Sequence, residues 1–183
     1  MFRELLSQRR PAILRRWFDL ILETYPAETR DFLKGKKDRF ENPVGQTIYN
    51  GIEGIYDGLL SGKALEDISR FLDNVIRVRA VQEFSASQAV AFIFSLKKVV
   101  REEIKGEGAE PDLPVPEVLE FESKIDALAL RAFDMFMGCR ERIYEIRATE
   151  IRNRTTNLLR RAGLLSDIPE GEEDLAGGGV NGG

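Results

Sequence analysis

The stretch Asn42–Gly62, NPVGQTIYNGIEGIYDGLLSG, contains five glycines, a density typical of loops that bind phosphate. A Walker-type loop requires two glycines with four residues between them, then lysine and a serine or threonine, because backbone amides surround the phosphates and the hydroxyl holds magnesium. Here Gly62-Lys63 is followed by Ala64, and Gly58 lies one residue too close. A dinucleotide-binding fold requires a strand before the glycines, and no strand precedes them here. The stretch therefore does not predict a nucleotide site.

A helix accounts for the same glycines better. It would place Gly51, Gly54 and Gly58 along one flank of an apolar stripe. Each glycine costs a helix interior roughly 1 kcal/mol relative to alanine, so three on one flank indicate close approach of a neighbouring helix. Contact with a ligand is the alternative. Tyr49 and Tyr56 lie on the opposite flank, where they either hydrogen-bond at an interface or keep only their hydroxyls in water.

Arg79 is the polar residue that fits its surroundings least. In a helix predicted from about Ala64 to Glu83, it falls inside the apolar stripe, with Gln82 beside it. One interpretation is a pocket for a small anionic or apolar effector, or a polar contact with a partner. The other is an arginine near a helix C-terminus that binds terminal carbonyls while its stem covers apolar surface.

Other groups with catalytic or metal chemistry are scarce. The chain has no histidine, which excludes His-ligated haem, His-containing zinc sites and Ser-His-Asp or Cys-His catalysis. The single cysteine, Cys139, lies on an apolar seam, so we expect it to be buried and unreactive. The acidic pairs Glu102-Glu103 and Glu172-Glu173 are sequence neighbours, which face apart on a helix. We therefore expect no enzyme, no metal and no cofactor.

Every periodic segment of the chain has helical spacing, and no strand is evident, which predicts an all-α fold. Trp17 packs inward from a first helical region, about Phe2–Thr24, that Pro11 interrupts. Further helix starts are expected at Asn42-Pro43, which supply an N-cap and a first-turn proline, and at Ser85, which forms a capping box with Gln88.

The last predicted helix, about Glu117 to Ala162, is the longest. At 1.5 Å per residue it would extend roughly 65–70 Å, more than a domain of this size requires, so we expect it to project or to pair with another chain. Its apolar residues alternate at three and four, a heptad rhythm, and predict a dimer seam. That seam comprises Ile125, Leu128, Ala132, Met135 and Cys139. Residues 1–163 then form one domain, and residues 164–183 an acidic, glycine-rich, disordered tail.

The segment Arg140–Arg161 carries seven arginines and three glutamates. It either contacts nucleic acid or an acidic partner, or is a solvated or coiled-coil helix. It lacks the interleaved aromatic residues on which bases stack, and the whole chain carries a net charge of −4, so we expect no nucleic acid partner. The longest uncharged apolar run, Phe84–Leu96, is shorter than the about 20 residues that span a bilayer. With no secretory signal, we expect a cytoplasmic protein without membrane insertion.

Two segments resemble a known family. LLSQRRPAILRRWFDLILETYP (Leu5–Pro26) resembles the opening helix of the RsbRD N-terminal domain family, the input domains of RsbT co-antagonist (stressosome) proteins. IRVRAVQEFSASQAVAFIFSLKKVVREEI (Ile76–Ile104) resembles the central helices of that family. The resemblance covers about Phe2 to Ile151, and it implies a globin-like, haem-free, dimeric sensory fold without catalytic residues.

In the typical co-antagonist, a long helix leads to a phosphorylatable STAS output domain, whereas only the predicted tail follows here. We therefore expect a stand-alone, non-enzymatic sensory or regulatory module that forms a homodimer and contacts a regulatory protein in signal transduction. One alternative is a small-ligand-binding regulatory protein with a pocket near Arg79 and Gln82. Another is an accessory factor of a respiratory or other enzyme complex.

Overall fold

The computed structural model describes residues 2–35, 42–82, 84–105 and 115–164, and every regular element in these ranges is an α-helix. The predicted all-α fold with a long last helix is therefore confirmed. The predicted tail lies, apart from Leu164, outside the described residues. The helices are α1 (Phe2–Gln8), α2 (Arg10–Leu22), α3 (Ala27–Gly35), α4 (Pro43–Leu60), α5 (Leu65–Ala80), α6 (Ala86–Lys105) and α7 (Val115–Arg161).

Three helix starts follow their local sequence signals. The break between α1 and α2 falls at Arg9, and Pro11 stands in the first turn of α2, where its missing N–H has no cost. The Asn42 side chain caps α4 by accepting a hydrogen bond from the Gly45 N–H at 2.8 Å. Ser85 and Gln88 form the capping box of α6, because each backbone N–H donates to the other side chain. These predictions are confirmed.

Residues 1–143 form one compact unit, in which α4 packs mainly on α5 and α2 mainly on α6. Trp17 of α2 is fully buried, and its Nε1–H donates to the Phe92 carbonyl oxygen at 2.7 Å. Its indole stacks on the Phe92 ring. The first part of α7 closes this core, and Phe121 meets Phe2 edge to face. The α7 side chains buried there are Phe121, Ile125, Leu128, Ala129, Ala132 and Phe136.

Residues 144–183 form a second unit, of which 144–164 are described. In this part of α7 every side chain is exposed except Thr156, which is half-buried. The helix ends after Arg161 with Gly163 at φ 67°, and the Leu164 N–H returns to the Leu159 carbonyl at 2.9 Å. Glycine suits this left-handed C-terminal turn, because it carries no Cβ. No helix in the described ranges has the length and apolar character needed to cross a bilayer.

Candidate functional site

Arg79, near the C-terminal end of α5, is fully buried. The helical spacing of α5 places it among Leu72, Val75 and Ile76, so the fold carries its guanidinium into the core. Its Nε donates to the Ala89 carbonyl at 3.0 Å and its Nη2 to the Gln88 carbonyl at 3.1 Å. These carbonyls belong to α6, not to the end of α5. The alternative that Arg79 caps its own helix therefore does not describe these contacts.

The guanidinium of Arg79 keeps unused hydrogen-bonding capacity. Its Nη2 also donates to the Thr24 hydroxyl at 3.2 Å, and that hydroxyl donates to the Ile21 carbonyl at 2.7 Å. An arginine side chain carries five N–H donors. Three therefore have acceptors, whereas Nη1 is buried and has no hydrogen-bond partner among the described residues. Burial of this kind is costly, because a polar group in the interior is usually satisfied.

Aromatic rings surround this charge. The guanidinium carbon of Arg79 lies 4.1 Å from the ring centre of Phe84, 5.5 Å from that of Tyr25 and 5.6 Å from that of Phe92. Ring faces attract cations, so these contacts offset part of the desolvation cost. Burial nevertheless lowers the pKa of Arg79, and the nearby Tyr25 opposes that shift only in part.

Arg10 shows how this chain satisfies a less buried arginine. Its Nε and Nη2 donate to the two carboxylate oxygens of Asp57 at 2.7 and 2.8 Å, and Nη2 also donates to Glu53 at 2.8 Å. These hydrogen bonds raise the pKa of Arg10. In the part of the chain that the structure describes, no carboxylate pairs with Arg79. The more deeply buried arginine is thus the one whose charge is not neutralised there.

Two other buried polar atoms near Arg79 have no hydrogen-bond partner in the described ranges: the Tyr25 hydroxyl and Oε1 of Gln82. Burial raises the pKa of Tyr25, while the charge of Arg79 and the neighbouring Gln82 amide act against the rise. The three side chains therefore lie close together, yet their free atoms do not meet hydrogen-bond geometry. We call Arg79, Tyr25 and Gln82 the Arg79 site.

A cavity of about 390 Å³ adjoins the Arg79 site. Tyr25 and Gln82 lie on its wall, whereas Arg79 does not line it and contacts the wall residues Thr24 and Phe84. This volume is within the range of small-molecule pockets. The lining residues are Thr24, Tyr25, Pro26, Thr29, Gln82, Phe84 and Gln88.

Sequence reasoning identifies Arg79 and Gln82 but misses Tyr25, Thr24 and Phe84. The sequence gives little signal for these three residues, because no helical periodicity relates them to Arg79. Tyr25, for example, lies 54 positions before Arg79 in the chain. Only the packing of α2 on α6, with α5 beside them, brings these residues together.

The glycines of α4 have a different role, because they lie against α5. A Cβ added at Gly51 would overlap a methyl group of Val75 and lie 3.2 Å from the Phe71 backbone oxygen. One at Gly54 would overlap the Phe71 ring, and one at Gly58 would lie 2.6 Å from Cγ1 of Ile68. We call Gly51, Gly54 and Gly58 with these three neighbours the glycine seam.

The two tyrosines of α4 occupy different environments. Tyr56 is fully buried, and its hydroxyl donates to the Leu6 carbonyl at 2.9 Å, so it faces the interior of the chain rather than a partner. Burial raises its pKa. Tyr49 is half-buried and meets Phe18 edge to face. Neither belongs to the Arg79 site.

The residues of the predicted dimer seam divide into two groups. Ile125, Leu128 and Ala132 are fully buried by the chain's own core. Met135 and Cys139 are partly buried and pack against that core. Three of the five residues would therefore have to be uncovered before a second copy could contact them.

Seven helices around an apolar core, closed by a long last helix, define an all-α bundle domain in the described ranges. The chain belongs to the family described as the RsbT co-antagonist protein rsbRD N-terminal domain, whose model matches residues 11–151. An uncharacterized protein of Archaeoglobus fulgidus is 28% identical over 145 residues, which cover 77% of this chain and 83% of that protein. No solved structure gives a significant match.

Proposed function

We propose that this domain is a non-enzymatic sensory or regulatory module of the cytoplasm, which acts in signal transduction by dimerising and by contacting a regulatory protein. Membership of the RsbRD N-terminal family supports a signalling role. The observation that carries the proposal is a set of exposed apolar side chains at seven-residue spacing on α7. Such spacing favours pairing with another helix.

The exposed residues at this spacing lie in the second unit. There, Tyr144, Ile151 and Leu158 are 53%, 67% and 59% exposed. Large apolar side chains that recur at this interval favour a contact surface over scattered surface residues. We call these three residues the α7 stripe.

The α7 stripe replaces the predicted seam as the proposed dimer contact. Because Ile125, Leu128 and Ala132 already stabilise the single chain, their apolar surface is not available to a second copy. The stripe residues are themselves exposed, so pairing through them leaves the core intact. Met135 and Cys139 pack partly against the same core, so they too are not proposed as dimer contacts.

The charge around the stripe makes the proposal testable by salt. Residues 140–161 carry a net charge of +4, so two copies side by side would repel one another. Salt screens that repulsion, and a homodimer held by apolar contacts should become tighter as ionic strength rises. Binding to an acidic partner should instead weaken with salt. The sign of the salt dependence therefore separates these two uses of α7.

Light scattering coupled to size exclusion, at micromolar concentration and at two salt levels, tests the dimer. Ile151→Asp should give a monomer, because each copy loses the burial of an isoleucine, worth about 1.5–3 kcal/mol, and a charge enters the contact. Ile146→Asp is the matched control: Ile146 is 54% exposed but lies outside the stripe, so the dimer should persist. A monomeric wild type at both salt levels would refute the proposal.

A further inference from the structure

We propose that residues 167–174, which we call the acidic segment, bind across the C-terminal part of α7 in the same chain. The surface they would cover consists of three arginines at seven-residue spacing, which we call the arginine row: Arg147, Arg154 and Arg161. The arginine row belongs to the described residues, and the acidic segment lies outside them. The proposal goes beyond the proposed function and does not depend on dimerisation.

The arginine row forms one flank of α7. Each of its arginines follows a residue of the α7 stripe by three positions, so the row and the stripe run side by side along the helix. All three arginines are exposed, and none has a hydrogen bond or an ion pair with another described residue. Glu150 lies three positions after Arg147 and four before Arg154, yet it pairs with neither. The row therefore offers three positive charges to an acidic group.

The acidic segment complements the row in charge. Residues 144–164 contain five arginines and two glutamates, a net charge of +3. A single exposed ion pair contributes little to stability, whereas several charges that face several opposite charges form a network. The acidic segment supplies such a set, because it contains five acidic residues and no basic one. These five are Asp167, Glu170, Glu172, Glu173 and Asp174.

The end of α7 brings the row within reach of the acidic segment. With Gly163 at φ 67° and the Leu164 N–H bonded to the Leu159 carbonyl, the helix ends and the chain leaves its axis. Arg147 and Arg161 are about 21 Å apart along that axis, at 1.5 Å per residue. An extended chain covers about 3.3 Å per residue, so Asp174 can lie up to about 33 Å from Leu164. The segment can therefore cover the whole row without a second copy.

A short connection favours this contact within one chain over the same contact between two copies. Only residues 165 and 166 separate the acidic segment from the described part of α7. Such a connection gives an effective concentration of about 1 mM, roughly a thousandfold above a second copy at micromolar concentration. An acidic partner must then displace the segment before it can bind the row. The contact also reduces the repulsion between two copies of the basic helix end.

Binding of a fluorescent octaglutamate peptide to the full chain, measured by anisotropy at low salt, tests the proposal. In the segment-neutralised variant, the five acidic residues become amides: D167N, E170Q, E172Q, E173Q and D174N. This variant should bind the peptide at least about tenfold more tightly than the wild type, because its own segment no longer occupies the row. Equal binding by the two chains, or binding by neither, would overturn the proposal.

A control with the same net charge excludes a general effect of charge. It neutralises five exposed acidic residues elsewhere that form no ion pair with described residues: E23Q, E28Q, D31N, E66Q and D67N. Because its acidic segment is intact, this control should bind octaglutamate within about twofold of the wild type. Binding as tight as that of the segment-neutralised variant would mean that net charge alone is responsible, and the proposal would be wrong.

Arginine variants assign the peptide to the row. In the segment-neutralised chain, R147Q, R154Q and R161Q together should remove the gain in affinity, because the peptide loses its three cationic contacts. The matched control removes three exposed arginines outside the row, R15Q, R131Q and R152Q, and should keep most of the gain. Equal losses in the two variants would place the acidic segment elsewhere and overturn the proposal.

Paramagnetic broadening distinguishes contact within one chain from contact between two copies. A spin label at Leu175→Cys, in a chain with Cys139→Ser, should broaden the amide signals of residues 147–161. High salt should remove the broadening, because it screens the ion pairs. Broadening that appears only as the protein concentration rises would place the segment on a second copy and overturn the proposal, as would its absence at low salt.

The contact and the proposed dimer can fail separately. Broadening is measured at low protein concentration, whereas light scattering reports the dimer. Broadening in a wild type that stays monomeric would refute only the dimer, and a dimer without broadening would refute only the contact.

Discussion

Helix α5 contacts two regions of opposite character. Along its first three turns it closes the glycine seam, where Gly51, Gly54 and Gly58 leave no room for even a single added carbon. At its C-terminal end it carries the Arg79 site, where three buried polar atoms lack partners beside a cavity. In the glycine seam, the absence of side chains on α4 allows close packing. At the Arg79 site, polar atoms remain without hydrogen bonds among the described residues, and a cavity lies beside them.

This difference separates residues that stabilise the fold by close packing from residues whose polar groups contribute little to stability. Close contact between α4 and α5 contributes dispersion and apolar burial, and it offsets the low helix propensity of the glycines. The unsatisfied atoms at Arg79 contribute nothing comparable to stability, since an unpaired buried polar group costs free energy. Substitutions in the seam should therefore lower the free energy of unfolding more than substitutions at the Arg79 site.

The largest effect is expected for Gly51→Leu. The new side chain collides with the branched, fully buried Val75 and with the Phe71 backbone, neither of which can move aside easily. We expect a loss of at least about 3 kcal/mol in the free energy of unfolding, despite better helix propensity. Urea denaturation followed by Trp17 fluorescence measures it.

Gly138→Ala is the control for that substitution. Gly138 is also helical, but no atom lies within 4 Å of its added Cβ. Propensity alone should stabilise this variant by about 1 kcal/mol. If Gly51→Leu were equally stabilising, the seam would not be tightly packed.

Gly54→Leu should have an intermediate effect. Its Cβ overlaps the Phe71 ring, but Phe71 is only half-buried and its ring can turn outward. We expect a loss of about 1–2 kcal/mol, smaller than at Gly51, although propensity alone would favour leucine. The same urea titration measures it. A gain in stability would show that the ring moves without cost.

The two buried tyrosines provide a matched pair with smaller effects. Tyr56→Phe removes the hydrogen bond to the Leu6 carbonyl and should cost about 1 kcal/mol. Tyr25→Phe removes a buried hydroxyl that has no partner, so its stability should stay equal or rise by up to about 1 kcal/mol. Thermal and urea unfolding of both variants compare them. Equal losses would indicate that the Tyr25 hydroxyl is satisfied in solution.

Arg79→Met should have the smallest effect on the unliganded protein. The carbonyls of Gln88 and Ala89 lie within α6 and keep its helical hydrogen bonds, and the Thr24 hydroxyl keeps its bond to Ile21. Removal of a buried charge that no carboxylate of the described residues neutralises compensates for the missing attraction between the guanidinium and the rings. We expect the free energy of unfolding to change by no more than about 1 kcal/mol. A decrease as large as that of Gly51→Leu would make Arg79 a structural residue.

The sequence by itself determined the elements of this protein, because their signals are local. Helical periodicity, Pro11, the Asn42 cap and the Ser85–Gln88 capping box each act within one or two turns. The same periodicity predicts that Arg79 lies on the apolar face of its helix. It also predicts that the three glycines lie on one flank of α4.

Tertiary structure alone decided which groups meet. The sequence indicates that Arg79 enters the core, but not that Tyr25, Thr24 and Phe84 surround it, since contacts between distant residues leave no spacing in the chain. It also does not indicate which apolar face of α7 the core occupies. A heptad rhythm is the same whether a helix packs on its own chain or on another, and only the burial of Ile125, Leu128 and Ala132 distinguishes the covered face from the exposed one.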